Sequence, residues 1–270
     1  MASAFICTAC GTQFPESREQ PKSCAICNDA RQFVPPHGQQ WTTLEELAKN
    51  HRNVFHQHEP GLFGIGTTPD FAIGQRALLL QTEQGNLLWD CISPIDAATI
   101  EIINSLGGLH GIAVSHPHFY TSMVEWSRAF DNAPIHLHAA DREWVMRSDA
   151  AIKFWEGAQK ELAPGVTLVQ CGGHFPGATV LHWAAGADDR GALLTSDTLS
   201  VMPDENVTFM YSYPNAIPLS ARAIRAIAAA VAPLNYYRIY GGWWESVIET
   251  NARDVVARSV ARYLKAIDAD

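Results

Sequence analysis

Four cysteines near the start of the chain have the spacing of a metal site. Cys7 and Cys10 form one Cys-x-x-Cys pair, and Cys24 and Cys27 form a second pair after thirteen intervening residues. A two-residue gap lets both thiolates of a pair bind one ion, and two facing pairs give a tetrahedral four-sulfur site. The sequence therefore predicts a closed metal site that uses all four thiolates.

Zinc is the expected ion in this four-Cys site, because zinc is the usual occupant of closed structural sites. Iron is the alternative, since sulfur-only tetrahedral sites accept either metal and the two short pairs resemble those of rubredoxin-like modules. The segment has few apolar residues and ends in Val34-Pro35-Pro36-His37-Gly38, which is typical of a linker. We therefore predict a four-Cys knuckle domain over residues 1–38, stabilised by its ion, and a larger domain over 39–270.

A second set of metal-binding side chains is spread over the larger domain. His116 and His118 lie two residues apart, just after a predicted buried strand at 111–115. His174 follows another predicted strand in a glycine-rich turn, and Asp197 stands at the end of a third. Side chains that follow strands can meet at one edge of the structure, so we expect these four to converge on an ion.

The elements that must carry these side chains alternate between strands and helices. Strands are predicted at 61–66, 71–74, 77–81, 87–89, 111–115, 135–138, 166–170, 179–183, 192–195 and 236–240. Helices are predicted to begin at Thr42 or Thr43, at Ser93-Pro94 and at Asp141, and to cover 122–130, 220–232 and 253–267. Strand clusters with late helices in each half predict two packed sheets with helices outside them.

The order and spacing of these motifs resemble those of the metallo-β-lactamase fold superfamily, from about residue 62 to the C-terminus. His116 and His118 match the start of the superfamily's His-x-His-x-Asp-His motif. His174 matches its Gly-His turn, and Asp197 matches its later strand-end aspartate. The resemblance implies an α/β (α+β) fold, a four-layer αββα sandwich with its metal site at one edge, preceded here by the zinc-ribbon or rubredoxin-like module. It also implies hydrolysis as the usual chemistry, and we expect zinc or iron at the histidine site.

Two departures from the superfamily pattern concern a second metal ion. Tyr120 and Thr121 stand where the pattern has Asp-His, and Gly241-Gly242-Trp243-Trp244 stands where its last histidine is expected. Ligands of a second ion are therefore missing or replaced. We predict a single ion held by the three histidines, with Asp197 as a further ligand or as the group that orients water.

Other predicted roles belong to aromatic residues and to further histidines. Tyr120 is expected to line the substrate pocket and to donate a proton or hydrogen bond to a developing oxyanion. Trp243 and Trp244 are predicted either at the rim of that pocket or in the core. His138 is expected to orient a metal ligand from behind. The sequence leaves open the roles of His51, His56, His58 and His136.

These features predict a metal-dependent hydrolase that acts through a metal-bound hydroxide on a small, partly apolar ester, lactone, thioester or phosphoester. Two alternatives stay open. One is a non-catalytic ligand-binding protein of the same fold, which the missing Asp and His favour. The other is an iron-dependent electron-transfer protein, which the cysteine pairs favour.

The composition of the chain limits the classes of binding partner that we expect. The chain has a net charge of −9 at pH 7 and no basic run, so we expect a small-molecule substrate and no nucleic-acid partner. No apolar run reaches the length of a membrane span, and the start lacks the pattern of a signal peptide, so we expect no membrane partner and a cytoplasmic location. Aromatic surface and an attached small domain are compatible with a homodimer.

Overall fold

The computed structural model describes residues 2–268 and groups them into two compact units. The first unit covers the chain up to Leu137 and then Asp141–Phe154, and the second covers His138–Ala140 and the chain from Trp155 onward. The boundary predicted at residue 38 lies inside the first unit, and separate folding of residues 1–38 stays a prediction.

Short strands and helices alternate along the first part of the chain, up to residue 155. In order they are β1 (Ser3–Cys7), β2 (Gln13–Ser17), α1 (Ala25–Asn28), β3 (Trp41–Thr42), α2 (Leu44–Asn50), β4 (Arg52–Glu59), β5 (Leu62–Thr68), β6 (Ala77–Leu80), β7 (Leu87–Trp89), α3 (Ala97–Ser105), β8 (Gly111–Ala113), α4 (Met123–Ala129), β9 (Ile135–His138) and β10 (Ile152–Trp155). Two 3-10 turns lie at Pro117–Phe119 and Ala139–Trp144. Strands β1 to β3 form a small sheet in the order β2-β1-β3, and β4 to β10 form a seven-stranded sheet in the order β10-β9-β8-β7-β6-β5-β4.

The rest of the chain builds a second large sheet and two long helices. Its elements are β11 (Gln159–Ala163), β12 (Val166–Gln170), β13 (Thr179–Trp183), α5 (Gly186–Asp189), β14 (Ala192–Ser196), β15 (Ser200–Val201), β16 (Val207–Thr208), β17 (Met210–Ser212), β18 (Ile217–Pro218), α6 (Ala221–Val231), β19 (Arg238–Gly241), β20 (Val247–Ile248) and α7 (Ala252–Ala266). The six-stranded sheet has the order β11-β12-β13-β14-β19-β20, in which β14 and β19 are parallel.

Local sequence signals explain several of these boundaries. Thr43 caps α2, because its Oγ1 accepts a hydrogen bond from the backbone N–H of Glu46 at 3.3 Å. Strands β6 and β7, predicted at 77–81 and 87–89, form an antiparallel hairpin with Leu80 opposite Leu87. The helix start at Thr43 and these two strands are therefore confirmed.

Three predicted elements are wrong. Where a helix was predicted from Asp141, the structure has only the short 3-10 turn Ala139–Trp144, whose backbone is non-helical at Asp141 itself. The helix predicted from Ser93 begins later, because Asp96 is its cap and accepts a hydrogen bond from the N–H of Thr99 at 2.8 Å. The Ser93 hydroxyl instead donates to the backbone carbonyl of Gly11 at 2.9 Å. The strand predicted at 71–74 is a turn, which the N–H of Gly74 closes by donating to a backbone carbonyl three residues earlier. Strand β4 was not predicted, because its alternation of side chains is almost entirely polar.

Helix α6 covers one face of the second unit's core. Ile224, Ile227 and Val231 recur every three to four residues, so one stripe of the helix is apolar and buried. The stripe belongs to the same buried cluster as Leu193 of β14 and Ile239 of β19. It also leaves no room beside Gly173, where an added Cβ would lie 2.7 Å from Ile227. Between residues 2 and 268 there is no helix with the length and apolar character needed to cross a membrane.

Candidate metal centres

The four cysteines of the N-terminal segment form a compact sulfur cluster. The Sγ atoms of Cys7 and Cys27 are 3.6 Å apart, as are those of Cys10 and Cys24. All four side chains are at most 2% exposed. Four thiolates held at ~2.3 Å from one tetrahedral ion would place their sulfurs roughly 3.8 Å apart, so the cluster has the dimensions of a four-sulfur metal site.

Tight turns after each cysteine pair bring the sulfurs together. The N–H of Gly11 donates to the carbonyl of Cys7 at 2.8 Å, and Gly11 has a φ of +79°, which only glycine adopts readily. In the second pair, the N–H of Asn28 donates to the carbonyl of Cys24 at 3.0 Å. Each turn thus directs two thiols to the same point.

Contacts among the sulfurs shift the pKa values of the thiols in opposite directions. Hydrogen bonds from Cys10, and then from Cys24 and Cys27, lower the pKa of Cys7 far below its usual value. The hydrogen bond with Cys24 is the largest of the effects that raise the pKa of Cys10. Protons are therefore shared unevenly inside the cluster, and metal binding would release them as the thiols become thiolate ligands.

A 3-10 turn, rather than an extended strand, brings the first two histidines together. His116 precedes the turn, Pro117 opens it, and the N–H of Phe119 donates to the carbonyl of His116 at 3.0 Å. The rings of His116 and His118 have centroids 5.3 Å apart and are inclined by 73°. Their convergence therefore comes from the turn and not from the alternation of a strand.

The ring of His116 is oriented by the residues just before it. The Oγ of Ser115 lies 3.0 Å from His116 Nδ1. The backbone N–H of Ser115 donates to Asp90 Oδ1 at 2.8 Å, which ties this loop to the end of β7. An imidazole whose Nδ1 is engaged in this way presents Nε2 as its ligand atom.

His174 and Asp197 face each other in the second unit. His174 Nδ1 lies 3.0 Å from the carbonyl oxygen of Met210, so Nδ1 donates this bond and carries the proton. His174 Nε2 lies 3.9 Å from Asp197 Oδ2. The Asp197 backbone carbonyl accepts a hydrogen bond from Tyr213 at 2.7 Å, which holds the turn after β14.

The second candidate metal group consists of four buried side chains: His116, His118, His174 and Asp197. Each offers one ligand atom, and these atoms all lie within 4.8 Å of one another. Three imidazole nitrogens and one carboxylate oxygen are ligands that zinc and iron both accept, so the donor set fits a bound transition metal. Burial supports the same interpretation, because buried charged groups are usually paired or bound to a metal.

The two residues that replace the superfamily's Asp-His lie directly after the turn. Tyr120 is 3% exposed, and burial, followed by the nearby Asp141 carboxylate, raises its pKa well above the usual value. Thr121 is also buried and has a φ of +37°, which is strained for a threonine. The role predicted for Tyr120 in the substrate pocket stays a prediction.

Three other residues with predicted roles near the histidine site lie at or just after the ends of strands. Trp243 and Trp244 are partly buried in the turn between β19 and β20, which the N–H of Ser246 closes by donating to the Trp243 carbonyl at 3.1 Å. His138 Nε2 lies 3.2 Å from the carbonyl oxygen of Gly157, and its ring packs edge-on against Trp155. Their assignments to the pocket and behind a ligand stay predictions.

The histidines whose roles the sequence left open are outside the two candidate metal groups of the described residues. His56 and His58 lie two apart on β4, with ring centroids 4.9 Å apart. Arg76 hydrogen-bonds to His58 at 2.5 Å, and burial, followed by this arginine and His56, lowers the pKa of His58 to about 4. His51 packs against the ring of Phe71, while His136 is part of β9.

Three residues around the histidine group were not identified from the sequence. Ser115 lies beside a histidine and was noted only as the end of a strand. Met210 contributes a backbone carbonyl, which no side-chain motif can reveal. Tyr213 contacts His174 edge-on at 5.8 Å from a position 39 residues away along the chain, so only the fold brings it there.

Comparisons with known proteins identify one close relative in sequence. No family model matches the chain. The uncharacterized protein YmaE of Bacillus subtilis (strain 168) is 46% identical to it over 269 residues, which cover 98% of this chain and 97% of YmaE.

Solved structures of metallo-β-lactamases share the fold. DIM-1 metallo-β-lactamase exposed to ceftazidime aligns with 80% of this chain and 98% of its own, with a TM-score of 0.60 and 11% identity. The metallo-β-lactamase of Cronobacter sakazakii carrying changes in its HARLDQ motif aligns with 80% of this chain and 97% of its own, with a TM-score of 0.51 and 20% identity. The predicted metallo-β-lactamase-like fold is therefore confirmed.

Proposed function

Since this chain belongs to the family of YmaE from Bacillus subtilis and has the metallo-β-lactamase fold, we propose that it is a metal-dependent hydrolase. The observation that carries this proposal is the buried group of three histidines and one aspartate, whose ligand atoms lie within 4.8 Å of one another. A bound zinc or iron ion would supply Lewis acidity and a nucleophile at neutral pH.

The chain's own residues orient the ligands and the substrate. The Met210 carbonyl fixes the proton of His174 on Nδ1 and leaves Nε2 facing Asp197. The Ser115 hydroxyl engages Nδ1 of His116 at 3.0 Å and so leaves its Nε2 as the ligand atom. Asp197 holds the ion or orients water, and Tyr120 donates a hydrogen bond to the oxyanion that develops on the substrate.

We further propose a mononuclear site. Tyr120 and Thr121 occupy the positions at which the superfamily pattern has Asp-His, and the turn after β19 contains Trp243 and Trp244 rather than a histidine. Phenol, hydroxyl and indole groups are poor substitutes for carboxylate and imidazole ligands of zinc.

The substrate class that we propose is a small, partly apolar ester, lactone, thioester or phosphoester. Two tryptophans in the turn between β19 and β20 favour a ligand with apolar surface. The net charge of −9 disfavours a polyanionic substrate such as a nucleic acid.

The test is metal content by mass spectrometry together with a substrate panel, on protein purified without chelator or histidine tag. We expect two transition-metal ions per chain in the wild type and one in the His116→Ala/His118→Ala variant. We also expect hydrolysis of one substrate class by the wild type alone. His182→Ala is the matched control, because this ring hydrogen-bonds to the carbonyl of Asn235 and is not part of the candidate group. Equal metal content in the wild type and the double variant would contradict the proposal.

A second candidate function is ligand binding without turnover. The observation that favours it is the pair of replaced ligands, Tyr120 and Thr121. It would be supported by a wild type that holds metal at the histidine group and hydrolyses no class of the panel. Iron in the cysteine cluster, visible as colour, would instead support electron transfer.

A further inference from the structure

We propose that the four-Cys knuckle positions the loop that carries His116 and His118, so that the ion held by the cysteines controls the order of the histidine loop. Gln13, Ser93 and Arg147 are the positioning residues. The consequence for metal affinity at the histidine group rests on the proposed function, whereas the ordering of the loop does not.

The turn that follows the first cysteine pair is hydrogen-bonded to the end of the histidine loop. The backbone N–H of Gln13 donates to the carbonyl of Thr121 at 3.0 Å. Thr121 follows His118 by three residues and has a φ of +37°. A strained, non-glycine conformation persists only where surrounding contacts hold it, and the knuckle supplies one of these contacts.

A second connection runs through the segment at 92–93. The Ser93 hydroxyl donates to the carbonyl of Gly11 at 2.9 Å, while the Ser93 carbonyl accepts from the hydroxyl of Ser122 at 2.5 Å. Trp126 of α4 donates from its indole N–H to the carbonyl of Ile92 at 2.8 Å. One short segment therefore connects the knuckle turn to the start of the helix that follows the histidines.

The third connection is a buried guanidinium. Arg147, 7% exposed, donates hydrogen bonds to the side-chain oxygens of Gln13 and of Glu125 in α4. It also lies 3.9 Å from the Glu16 carboxylate of β2. Removing a partner of a buried charge is strongly destabilising, so this arrangement resists separation of β2 from α4.

Close packing fills the junction between the knuckle and the loop. The cavity there measures about 10 Å³, and Gln13, Tyr120, Thr121 and Arg147 are among the residues that line it. That volume is at the lower limit for one water molecule. A Cβ added at Gly11 would lie 2.6 Å from Ser93 Oγ and 3.4 Å from Thr121 Cγ2, so only a glycine fits at this position beside Ser93 and the loop. The turn and the loop therefore pack directly against each other.

The knuckle needs its bound ion to be rigid enough to hold the histidine loop in place. The buried cluster of the knuckle consists of its four cysteines and Ile26, with a few partly buried neighbours. So small an apolar core does not fold stably without a metal. Without the ion, the turn at Gly11 loses its fixed geometry and Thr121 loses the hydrogen bond from Gln13. By linkage, an ordered histidine loop in turn favours the folded knuckle.

Hydrogen exchange measured by mass spectrometry tests the ordering of the loop. We compare the zinc-loaded wild type with the Cys10→Ser/Cys24→Ser variant, following peptides that cover residues 3–17, 117–124 and 179–183. Loss of the ion should speed exchange in 3–17 and, by at least about tenfold, in 117–124, while β13 at 179–183 keeps its protection. Exchange in 117–124 that stays within about twofold of the wild type, with 3–17 clearly loosened, would overturn the proposal.

Variants of the connection keep all four cysteines and avoid a folding failure of the knuckle. In Ser93→Ala and Arg147→Met, cobalt(II) titration reports the two sites separately, because thiolate-to-cobalt charge transfer marks the cysteine site. We expect normal cobalt binding by the cysteines and a roughly tenfold loss of affinity at the histidine group. Arg128→Met is the matched control, since Arg128 lies on α4, as Glu125 does, but its half-exposed guanidinium pairs with Asp149 at 3.0 Å and not with the knuckle.

The outcomes separate this proposal from the proposed function. Unchanged cobalt affinity at the histidine group in both connection variants would overturn the coupling while leaving the hydrolase proposal intact. A wild type without a second cobalt ion would overturn the hydrolase proposal, and the exchange of peptide 117–124 would then decide the coupling by itself.

Discussion

The two metal-binding groups of this chain are assembled in different ways. The cysteine cluster draws all its ligands from residues 7 to 27, and two tight turns are enough to bring the sulfurs together. The histidine group draws its ligands from residues 116 to 197: His116 and His118 lie at one 3-10 turn, whereas His174 follows β12 and Asp197 follows β14. The first group is therefore visible as spacing in the sequence, whereas the second depends on the whole fold.

The hydrogen-bond partners of the ligands also differ between the two groups. In the cysteine cluster the sulfurs are one another's partners, with pairs at 3.6 Å. In the histidine group, partners from outside the ligand set orient the rings: the Ser115 hydroxyl and the Met210 carbonyl. A closed cluster of this kind is suited to stability, whereas a group oriented from outside is suited to chemistry that needs a defined ligand direction.

Removing two ligands of the histidine group should give the largest effect. We expect the His116→Ala/His118→Ala variant to lose its second metal ion and roughly 10⁴-fold in hydrolytic rate, the scale seen when an essential catalytic group is deleted. Steady-state kinetics on the substrate found in the panel measure the change. A variant that keeps more than about a tenth of the wild-type rate would show that the two histidines are not essential ligands.

Removing the cysteine ligands should affect stability more directly than chemistry. We expect Cys10→Ser/Cys24→Ser to lose several kcal/mol of unfolding free energy from the first unit, because structural zinc sites bind their ion with about 10–16 kcal/mol. Urea unfolding followed by tryptophan fluorescence measures the loss. The control is Cys91→Ala, which removes a lone buried thiol and should cost about 1 kcal/mol. Equal losses in the two variants would contradict a structural metal at the cysteines.

The orientation of a single ligand can be weakened without deleting it. Ser115→Ala removes the hydroxyl that lies 3.0 Å from His116 Nδ1, and we expect a 10- to 100-fold loss of affinity for the ion at the histidine group. Competition with a chelator of known affinity measures this loss, and Ser105→Ala on the exposed side of α3 is the control. Binding by the cysteines should not change, so a loss at both sites would point to general destabilisation.

A histidine outside both groups should give the smallest effect, and one that depends on pH. Because the pKa of His58 is lowered to about 4 from a usual 6.5, the unfolded chain binds a proton in this window and the folded chain does not. The unfolding free energy should therefore fall as the pH drops from 6.5 towards 4. His58→Gln should flatten this part of the profile relative to the wild type, as measured by urea unfolding across the window. An unchanged slope would show that the acid sensitivity arises elsewhere.

Particular elements show where sequence reasoning was sufficient. The cap at Thr43, the neighbouring strands β6 and β7 and the helix over 220–232 depend on local signals, and the structure confirms all three. The start of α3 was wrong because the hydroxyl of Ser93 bonds to Gly11, 82 residues earlier, instead of capping the helix. A local signal failed there because a distant hydrogen bond competed with it.

The sequence alone identified the candidate ligands of both groups and the fold, because cysteine spacing, histidine motifs and strand periodicity are local properties of the chain. Only the tertiary structure decided that a 3-10 turn brings His116 and His118 together, that the Met210 carbonyl orients His174, and that the knuckle contacts Thr121. These features depend on backbone carbonyls and on contacts between distant segments. A backbone carbonyl is the same in every residue, so no sequence pattern can indicate which one will accept a given bond.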